Sequence, residues 1–130
     1  MLKRVIGLVM VSAVILTGCS STSDSAINLD PAAFKAKTQE AEVIVLDVRT
    51  AQEFNEGHIE NAININVESD TFLSQIESLD KSKSYAVYCR SGRRSADALT
   101  KMANQNFTSL TNLNGGTIDW TNAGFALVTK

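Results

Sequence analysis

Cys89 begins a short loop that is rich in arginine, serine and glycine. The loop reads Cys-Arg-Ser-Gly-Arg-Arg-Ser and spans residues 89–95. It follows the apolar run 85–88, which is typical of a buried strand, and precedes a helical pattern that we predict to span residues 95–105. Because α/β sheets bind ligands at the C-terminal ends of their strands, this position favours a nucleophilic thiol over an inert one.

The composition of this loop suits it to hold an anion. Gly92 can adopt backbone angles closed to other residues, so successive N–H groups can turn inward at the start of the helix. The same field favours a thiolate and lowers the pKa of Cys89 from its ordinary ~8.5. Arg93 and Arg94 add fixed positive charge for a dianion. We expect Ser95 to cap the helix, with a hydrogen bond to the sulfur as its alternative role.

A structural explanation of the same residues is a buried cysteine beside a solvated, basic helix start, since free cysteines are often buried. Three arginines lie within five residues, together with a glycine, where a strand gives way to a helix. The coincidence of these features favours the reactive site.

The first 18 residues resemble a bacterial lipoprotein signal peptide. Lys3 and Arg4 precede an uncharged apolar run over residues 5–16. As a helix this run reaches about 18 Å, less than the ~30 Å hydrocarbon core of a membrane. Leu-Thr-Gly-Cys at residues 16–19 resembles a lipobox, which implies cleavage before Cys19 and lipidation of its thiol. An ordinary signal peptide that happens to contain a cysteine is the alternative.

Lipidation would anchor the protein to the membrane of the bacterial cell envelope, facing the periplasm. Ser20 follows the cysteine instead of aspartate, which favours the outer membrane. We predict a flexible tether over residues 19–27 and a single domain over residues 28–130. Without residues 1–18 the chain has 10 basic against 14 acidic side chains, a net charge of −4. This acidic balance does not indicate nucleic-acid binding. If Cys19 is lipidated, Cys89 has no intramolecular disulfide partner.

Apolar runs and amphipathic segments alternate along about 100 residues of the chain. This alternation predicts an α/β domain with a central, mostly parallel sheet of about five strands. We predict strands over residues 43–46, 62–65, 85–88 and 107–113. Helices are predicted to begin after the N-caps Asp30, Thr50 and Asp70. The third of these should bury one face, formed by Phe72, Leu73, Ile76 and Leu79, and a short last helix should lie around residues 118–120.

At this point the sequence resembles a known family. The loop over residues 89–95 looks like the active-site loop of single-domain rhodaneses, which are sulfurtransferases. Three further segments resemble family motifs in the family's order: Leu-Asp-Val-Arg at 46–49, E-F-x-x-G-H-I-x-x-A-x-N at 53–64, and L-x-G-G-x-x-x-W at 113–120. Glu60 and Asn61 replace the usual Pro-Gly, in a turn that we expect to lie far from the thiol.

The resemblance implies a three-layer α/β/α fold and sulfur transfer through a persulfide on Cys89. The thiol would take the outer sulfur of thiosulfate or a similar small anionic donor, release sulfite, and pass the sulfur to cyanide or a thiol. No cofactor or metal is expected. The donor would be bound by the rest of the loop, namely Arg90, Ser91, Gly92, Arg93, Arg94 and Ser95.

Three other polar residues are interpreted as structural support. Asp47 and Arg49 follow a predicted buried strand, so either could face the active-site mouth. We favour instead an ion pair of Arg49 with Glu53 or another nearby carboxylate. His58 is the only histidine, but a thiolate formed by the loop needs no general base, and the equivalent histidine in the family belongs to the scaffold. One histidine and one free thiol also fall short of a metal site.

Two other functions are compatible with a thiol in such a loop. Phosphatases and arsenate reductases on the same fold have a Cys-x5-Arg loop, one residue longer than this one. Here the position that would hold that arginine is Ser95, so the loop has the sulfurtransferase length. A membrane-tethered module that only binds partners or carries sulfur is the second alternative, although the cysteine and its arginines are intact.

Overall fold

The computed structural model describes residues 26–130. The predicted signal peptide, the lipidation site Cys19 and most of the predicted tether lie outside the described residues. Within residues 26–130, no helix is both long and apolar enough to span a bilayer.

Five strands form a single sheet in the order β1-β5-β4-β2-β3, and every pairing between neighbours is parallel. The strands are β1 (Ala26–Leu29), β2 (Val43–Asp47), β3 (Ile63–Asn64), β4 (Ser84–Tyr88) and β5 (Leu110–Leu113). The helices are α1 (Pro31–Thr38), α2 (Ala51–Glu56), α3 (Phe72–Glu77), α4 (Arg93–Asn104) and α5 (Gly116–Asn122). The predicted five-stranded parallel sheet is confirmed.

The central strand β4 shows how the two helical layers are placed. Successive strand residues point to opposite faces of a sheet. Tyr85, Val87 and the adjoining Cys89 belong to one buried cluster, whereas Ala86 and Tyr88 belong to another. The helices contribute Phe72, Ile76, Ala98, Leu99 and Met102 to the first cluster and Phe34 and Trp120 to the second. The sheet is therefore covered on both faces, which explains the continuous apolar runs of β2 and β4. Cys89 faces the layer that contains α4.

The first two helix starts follow the sequence prediction. The Asp30 side chain accepts a hydrogen bond from the amide of Ala33 at 2.8 Å, and the amide of Glu53 donates to the Thr50 hydroxyl at 3.2 Å. The predicted Asp70 cap is wrong. Helix α3 begins after Thr71, whose side chain makes no capping hydrogen bond to the helix.

The third helix is also less buried than its pattern predicted. Only Phe72 and Ile76 are buried in α3, while Leu73 keeps 50% of its surface exposed. Leu79 lies beyond the end of the helix and packs at the edge of the core. Each residue advances about 100° around a helix, so Phe72 and Ile76 share one face whereas Leu73 lies well to the side of it.

Strand β1 was not predicted from the sequence, and β5 is shorter than predicted. Ala26 and Ile27, assigned to the tether, pair in register with Leu110 and Thr111. Phe107 is buried but precedes β5, in a connecting segment. Strand β1 lies at the edge of the sheet, has only four residues and exposes Ile27. It has no continuous apolar run from which a strand could be predicted, and it forms by pairing with β5.

Candidate active site

The centre of the sheet determines where the thiol lies. Strand β4 pairs with β5 on one side and with β2 on the other, and Tyr88 lies opposite Asp47 at the C-terminal ends of β4 and β2. Cys89 is the first residue beyond β4 and is completely buried. The loops after β2 and β4 therefore leave the same edge of the sheet, side by side around the cysteine.

The loop after Cys89 wraps its backbone around the sulfur. Gly92 has φ of +103° and is the N-cap of α4, and its amide donates a hydrogen bond to Cys89 Sγ at 3.0 Å. Helix α4 therefore begins at Arg93, two residues earlier than predicted. Ser95 is not the N-cap but the third residue of the helix. Residues other than glycine rarely adopt this left-handed backbone conformation. Glycine at position 92 therefore allows the chain to pass directly from the loop into the helix.

Ser95 instead takes the alternative role expected for it, beside the sulfur. Its Oγ lies 3.4 Å from Cys89 Sγ and donates a hydrogen bond to the carbonyl of Gly92 at 3.1 Å. The side chain is fully buried. The hydroxyl thus lies between the sulfur and the loop backbone, where it can rotate to donate to a thiolate.

Two opposing effects act on the acidity of Cys89. Burial alone would raise the pKa of the thiol, since it disfavours the charged form. The Ser95 hydroxyl and the amides of Ser95, Gly92 and Ser91 stabilise the thiolate, and together they lower the pKa below its ordinary value. Hydrogen bonds to the charged form are the cause of the shift. The Cys89 thiol is therefore fully buried and yet has a lowered pKa.

Gly115 and Gly116, at the start of α5, support the thiol loop, and sequence analysis missed this role. The amides of Thr117 and Ile118, at the start of α5, donate to the carbonyls of Cys89 and Arg90 at 3.0 and 3.2 Å. Gly116 has φ of +58°, and a Cβ placed on it would lie 2.5 Å from the Cys89 carbonyl oxygen. Only glycine lets the two backbones approach so closely. The L-x-G-G motif was the available signal.

Arg94 holds helices together, which differs from the expectation that it serves as a free cation for the donor. Its Nη1 and Nη2 donate to Glu53 Oε1 and Oε2 at 2.8 and 2.9 Å. The hydrogen bond from Arg94 is the main cause that lowers the pKa of Glu53 to about 2. This bidentate pair joins α2 to α4, and it balances the charge of Arg94.

The predicted ion pair of Arg49 with a nearby carboxylate is confirmed, and that carboxylate is Asp47, not Glu53. Arg49 Nη2 lies 2.6 Å from Asp47 Oδ2 and also donates to the carbonyl of Gly57 at 2.7 Å. Both charged side chains are buried. Asn64 donates to the carbonyls of Asp47 and Arg49 at 3.0 and 2.9 Å. These bonds fix the segment that leaves β2 beside the thiol loop.

His58 is held by the scaffold. Its Nδ1 lies 2.8 Å from the carbonyl oxygen of Phe54, and the two rings stack with centroids 3.8 Å apart. Its amide and carbonyl both bond to Val128, at 2.9 and 2.7 Å. The ring and backbone of His58 therefore join the end of α2 to the C-terminal segment.

The arrangement of a buried thiol, an amide-lined loop and a supporting Gly-Gly helix start agrees with the comparison to known proteins. Residues 30–123 match the family described as Rhodanese-like domain. The chain belongs to this rhodanese-like family. In solved structures, a rhodanese-related protein from Thermoplasma volcanium superposes with a TM-score of 0.70 at 28% identity, covering 80% of this chain and 99% of that one.

Relatives of this rhodanese-like domain include proteins named for sulfur transfer. The chain is 30% identical over 87 residues to the sulfurtransferase of Allochromatium vinosum, covering 67% of this chain and 79% of that protein. It is 29% identical over 123 residues to thiosulfate sulfurtransferase 18 of Arabidopsis thaliana, covering 85% and 90%. Both names describe sulfur transfer in those proteins.

Other relatives of the rhodanese-like domain are longer proteins with different names. The chain is 35% identical over 91 residues to the mitochondrial protein HIGH ARSENIC CONTENT 1 of Arabidopsis thaliana, covering 62% of this chain and 54% of that protein. It spans only 31% to 33% of the length of tRNA uridine(34) hydroxylases. The chain thus spans about half or less of several curated relatives.

An open groove of about 520 Å³ lies beside the loop of the rhodanese-like domain. Its lining comprises Val67, Glu68, Ser91, Arg93, Arg94 and Asp97, and we refer to it as the Arg93 groove. Arg90 lines a different, smaller depression of about 220 Å³, together with Arg49 and Glu53. The three loop arginines therefore do not line a single site. Arg93 and Arg94 line the Arg93 groove, whereas Arg90 lines the smaller depression together with Glu53, the partner of Arg94.

Proposed function

We propose that this protein is a thiosulfate-type sulfurtransferase that works through a persulfide on Cys89. The observation that carries the proposal is the hydrogen bond from the Gly92 amide to Cys89 Sγ at 3.0 Å, at the C-terminal end of the central strand. A buried thiol that only fills space has no need of hydrogen bonds that stabilise its thiolate. The lowered pKa of Cys89 gives the nucleophile that sulfur transfer requires.

The first half-reaction loads the enzyme. The Cys89 thiolate attacks the outer sulfur of thiosulfate, and a bond forms between the two sulfur atoms. The sulfur–sulfur bond inside thiosulfate breaks, and its electron pair leaves with sulfite. The loop amides that stabilise the thiolate can then stabilise the negative charge on the outer sulfur of the persulfide.

The second half-reaction unloads the enzyme. Cyanide or a thiolate attacks the outer sulfur of the persulfide, the bond to Cys89 breaks, and its electron pair returns to Cys89 Sγ. The products are thiocyanate or a new persulfide, together with the original thiolate. No proton needs to be removed by a base, in agreement with the scaffold position of His58.

The loop residues divide the work of binding and support. Ser91, Gly92 and Ser95 stabilise the sulfur through amides and a hydroxyl. Arg93 is exposed in the groove and attracts the oxyanion end of the donor. Arg94 fixes the position of the loop through Glu53 and adds little net charge.

Intact mass after incubation with thiosulfate tests this function. The full-length protein should gain one sulfur atom and release one sulfite, and Cys89→Ala should do neither. A later addition of cyanide should remove the sulfur as thiocyanate. If wild type gained no sulfur, the proposal would be wrong, and a module that only binds partners would be favoured. Turnover of a phenyl phosphate ester would instead indicate a phosphatase, and turnover of arsenate would indicate an arsenate reductase.

We also propose that the protein acts at the bacterial cell envelope, anchored by lipid on Cys19. The support is the sequence alone: a basic start, a short apolar run and the lipobox-like residues 16–19. Several acyl chains anchor stably where one does not. The domain would then face the periplasm, with Cys89 as its only free thiol.

A further inference from the structure

The charges of the Arg93 groove are partly paired and partly free. Arg94 is bound to Glu53, and Asp97 lies 3.1 Å from Lys101. Among residues 26–130, Arg93 and Glu68 have no ion-pair partner within 4 Å. The groove beside the thiol loop thus presents one positive and one negative side chain without an ion-pair partner among the described residues.

The positions of these two charges are set by the backbone on either side of the groove. Arg93 is the first residue of α4, directly after the N-cap Gly92. Glu68 lies after β3, where its amide donates to Asn66 Oδ1 at 3.0 Å and the amide of the preceding Val67 donates to the carbonyl of Val48. Both side chains are exposed. The pKa of Arg94 is raised mainly by its hydrogen bond to Glu53, and the negative charge of Glu68 adds to this shift.

These charges suit an inorganic dianion such as the donor only at Arg93, because Glu68 would repel the same ion. They match a small molecule that carries a carboxylate and an ammonium group.

We infer that the Arg93 groove selects a zwitterionic aminothiol as the sulfur acceptor, with Arg93 facing its carboxylate and Glu68 its ammonium group. This inference rests on the proposed function, since it assigns the acceptor of the persulfide. The acceptor thiolate bonds to the outer sulfur, the bond to Cys89 breaks, and the electron pair returns to Cys89 Sγ. The new persulfide leaves with its charged groups.

Four acceptors of different charge test the inference on the full-length protein loaded with thiosulfate. Cysteine carries both charged groups, cysteamine only the ammonium, 3-mercaptopropionate only the carboxylate, and 2-mercaptoethanol neither. In each protein, kcat/KM for a thiol is divided by kcat/KM for cyanide, which cancels changes in loading. Comparing each ratio with that of wild type cancels the acceptors' own reactivity.

Glu68→Gln should lower the ratio for cysteine and cysteamine by about threefold, but not for 3-mercaptopropionate or 2-mercaptoethanol. Arg93→Gln should lower it for cysteine and 3-mercaptopropionate by a similar factor. Exposed ion pairs contribute at most ~1 kcal/mol, which sets this scale. Both contrasts should shrink in 1 M salt, where charges are screened within ~3 Å.

Glu77→Gln is the matched control, because Glu77 is an exposed carboxylate of α3 outside the groove. Thermal unfolding of each variant checks that it is folded. Equal effects of Glu68→Gln on all four acceptors, or the same pattern in Glu77→Gln, would overturn the inference while the thiosulfate–cyanide reaction still supports the function. If wild type forms no thiocyanate, the proposed function itself is wrong and the inference falls with it.

Discussion

At the scale of single residues, the acidity of Cys89 depends on a contest between burial and hydrogen bonding. Burial opposes ionisation, and the Ser95 hydroxyl with the loop amides outweighs it, so the pKa is lowered. The sulfur is therefore a thiolate over a wider pH range than an unperturbed cysteine. The same bonds make the folded state prefer the thiolate.

The pH dependence of alkylation tests this balance. The rate of Cys89 alkylation by iodoacetamide should rise with pH and reach a plateau, with a midpoint below that of the urea-unfolded protein. Ser95→Ala removes one hydrogen bond, so its midpoint should lie higher than that of wild type. Because the folded pKa is lowered, ionised Cys89 stabilises the fold above its unfolded pKa of ~8.5, and this contribution is lost as pH falls through the folded value.

The control for this experiment is Ser91→Ala, which keeps the backbone amide and changes only an exposed side chain. Its midpoint should equal that of wild type. A wild-type midpoint at or above the unfolded one would show that burial dominates and that the loop does not activate the thiol.

The Arg94–Glu53 ion pair gives a second prediction at the residue scale. The free energy of unfolding of wild type, Glu53→Gln, Arg94→Gln and the double variant should give a coupling of about 0.5–1 kcal/mol near neutral pH. The pKa of Glu53 is lowered from 4.5 to about 2, so the coupling is complete above pH 4.5 and is lost as pH falls through about 2.

The exposed Lys81–Glu77 pair is the control for this cycle, since it is a single contact at 3.0 Å between more exposed side chains. Its coupling should be smaller, about 0.3 kcal/mol. Equal couplings in the two pairs, or no loss of the Arg94–Glu53 coupling at low pH, would contradict the role of this bridge in joining α2 to α4.

At the scale of elements, the contact between the start of α5 and the thiol loop makes Gly116 critical. Gly116→Ala should destabilise the protein and slow sulfur transfer, because its Cβ would strike the Cys89 and Arg90 carbonyls. Gly124 has a similar left-handed φ of +87°, but a Cβ added there would have no atom within 4 Å. Gly124→Ala should therefore cost only the backbone strain, about 1–2 kcal/mol. The free energies of unfolding should differ by at least about 1 kcal/mol, the usual scale of overpacking. Equal losses in the two variants would show that the close approach is unimportant.

The same elements show how far the sequence predicts this molecule. Strands β2 and β4 follow from their apolar runs, and α1 and α2 from Asp30 and Thr50, because each signal is local. The start of α4 was misplaced because Ser95 looks like a cap, whereas Gly92 ends the loop through its left-handed backbone.

Contacts between distant segments could not be predicted in the same way. Glu53 and Arg94 are 41 residues apart, and the partner that the sequence suggested for Glu53 was the nearby Arg49. The pairing of β1 with β5 and the approach of Gly116 to the loop likewise depend on the tertiary fold. The sequence located the thiol, whereas the neighbours that hold it required the structure.

At the scale of the whole molecule, the chain combines a rhodanese-like domain with a first segment that resembles a lipoprotein signal peptide. An anchored enzyme can exchange sulfur only with molecules that reach its membrane surface. In a Gram-negative host, the wild-type protein should take up an alkyne-labelled fatty acid and sediment with outer-membrane markers. Replacing residues 1–19 with a signal peptide that directs unlipidated secretion should release an active protein into the soluble periplasm.

Cys89→Ser separates the two cysteines in that experiment. It should remain labelled and membrane-bound while losing persulfide formation, because the chemistry and the anchor belong to different thiols. Cys19→Ser should abolish labelling. Labelling that survives Cys19→Ser, or wild type that is unlabelled and soluble, would contradict the envelope proposal. Neither result would bear on the chemistry of Cys89, because the residues that surround its sulfur lie within the domain and not in the anchor.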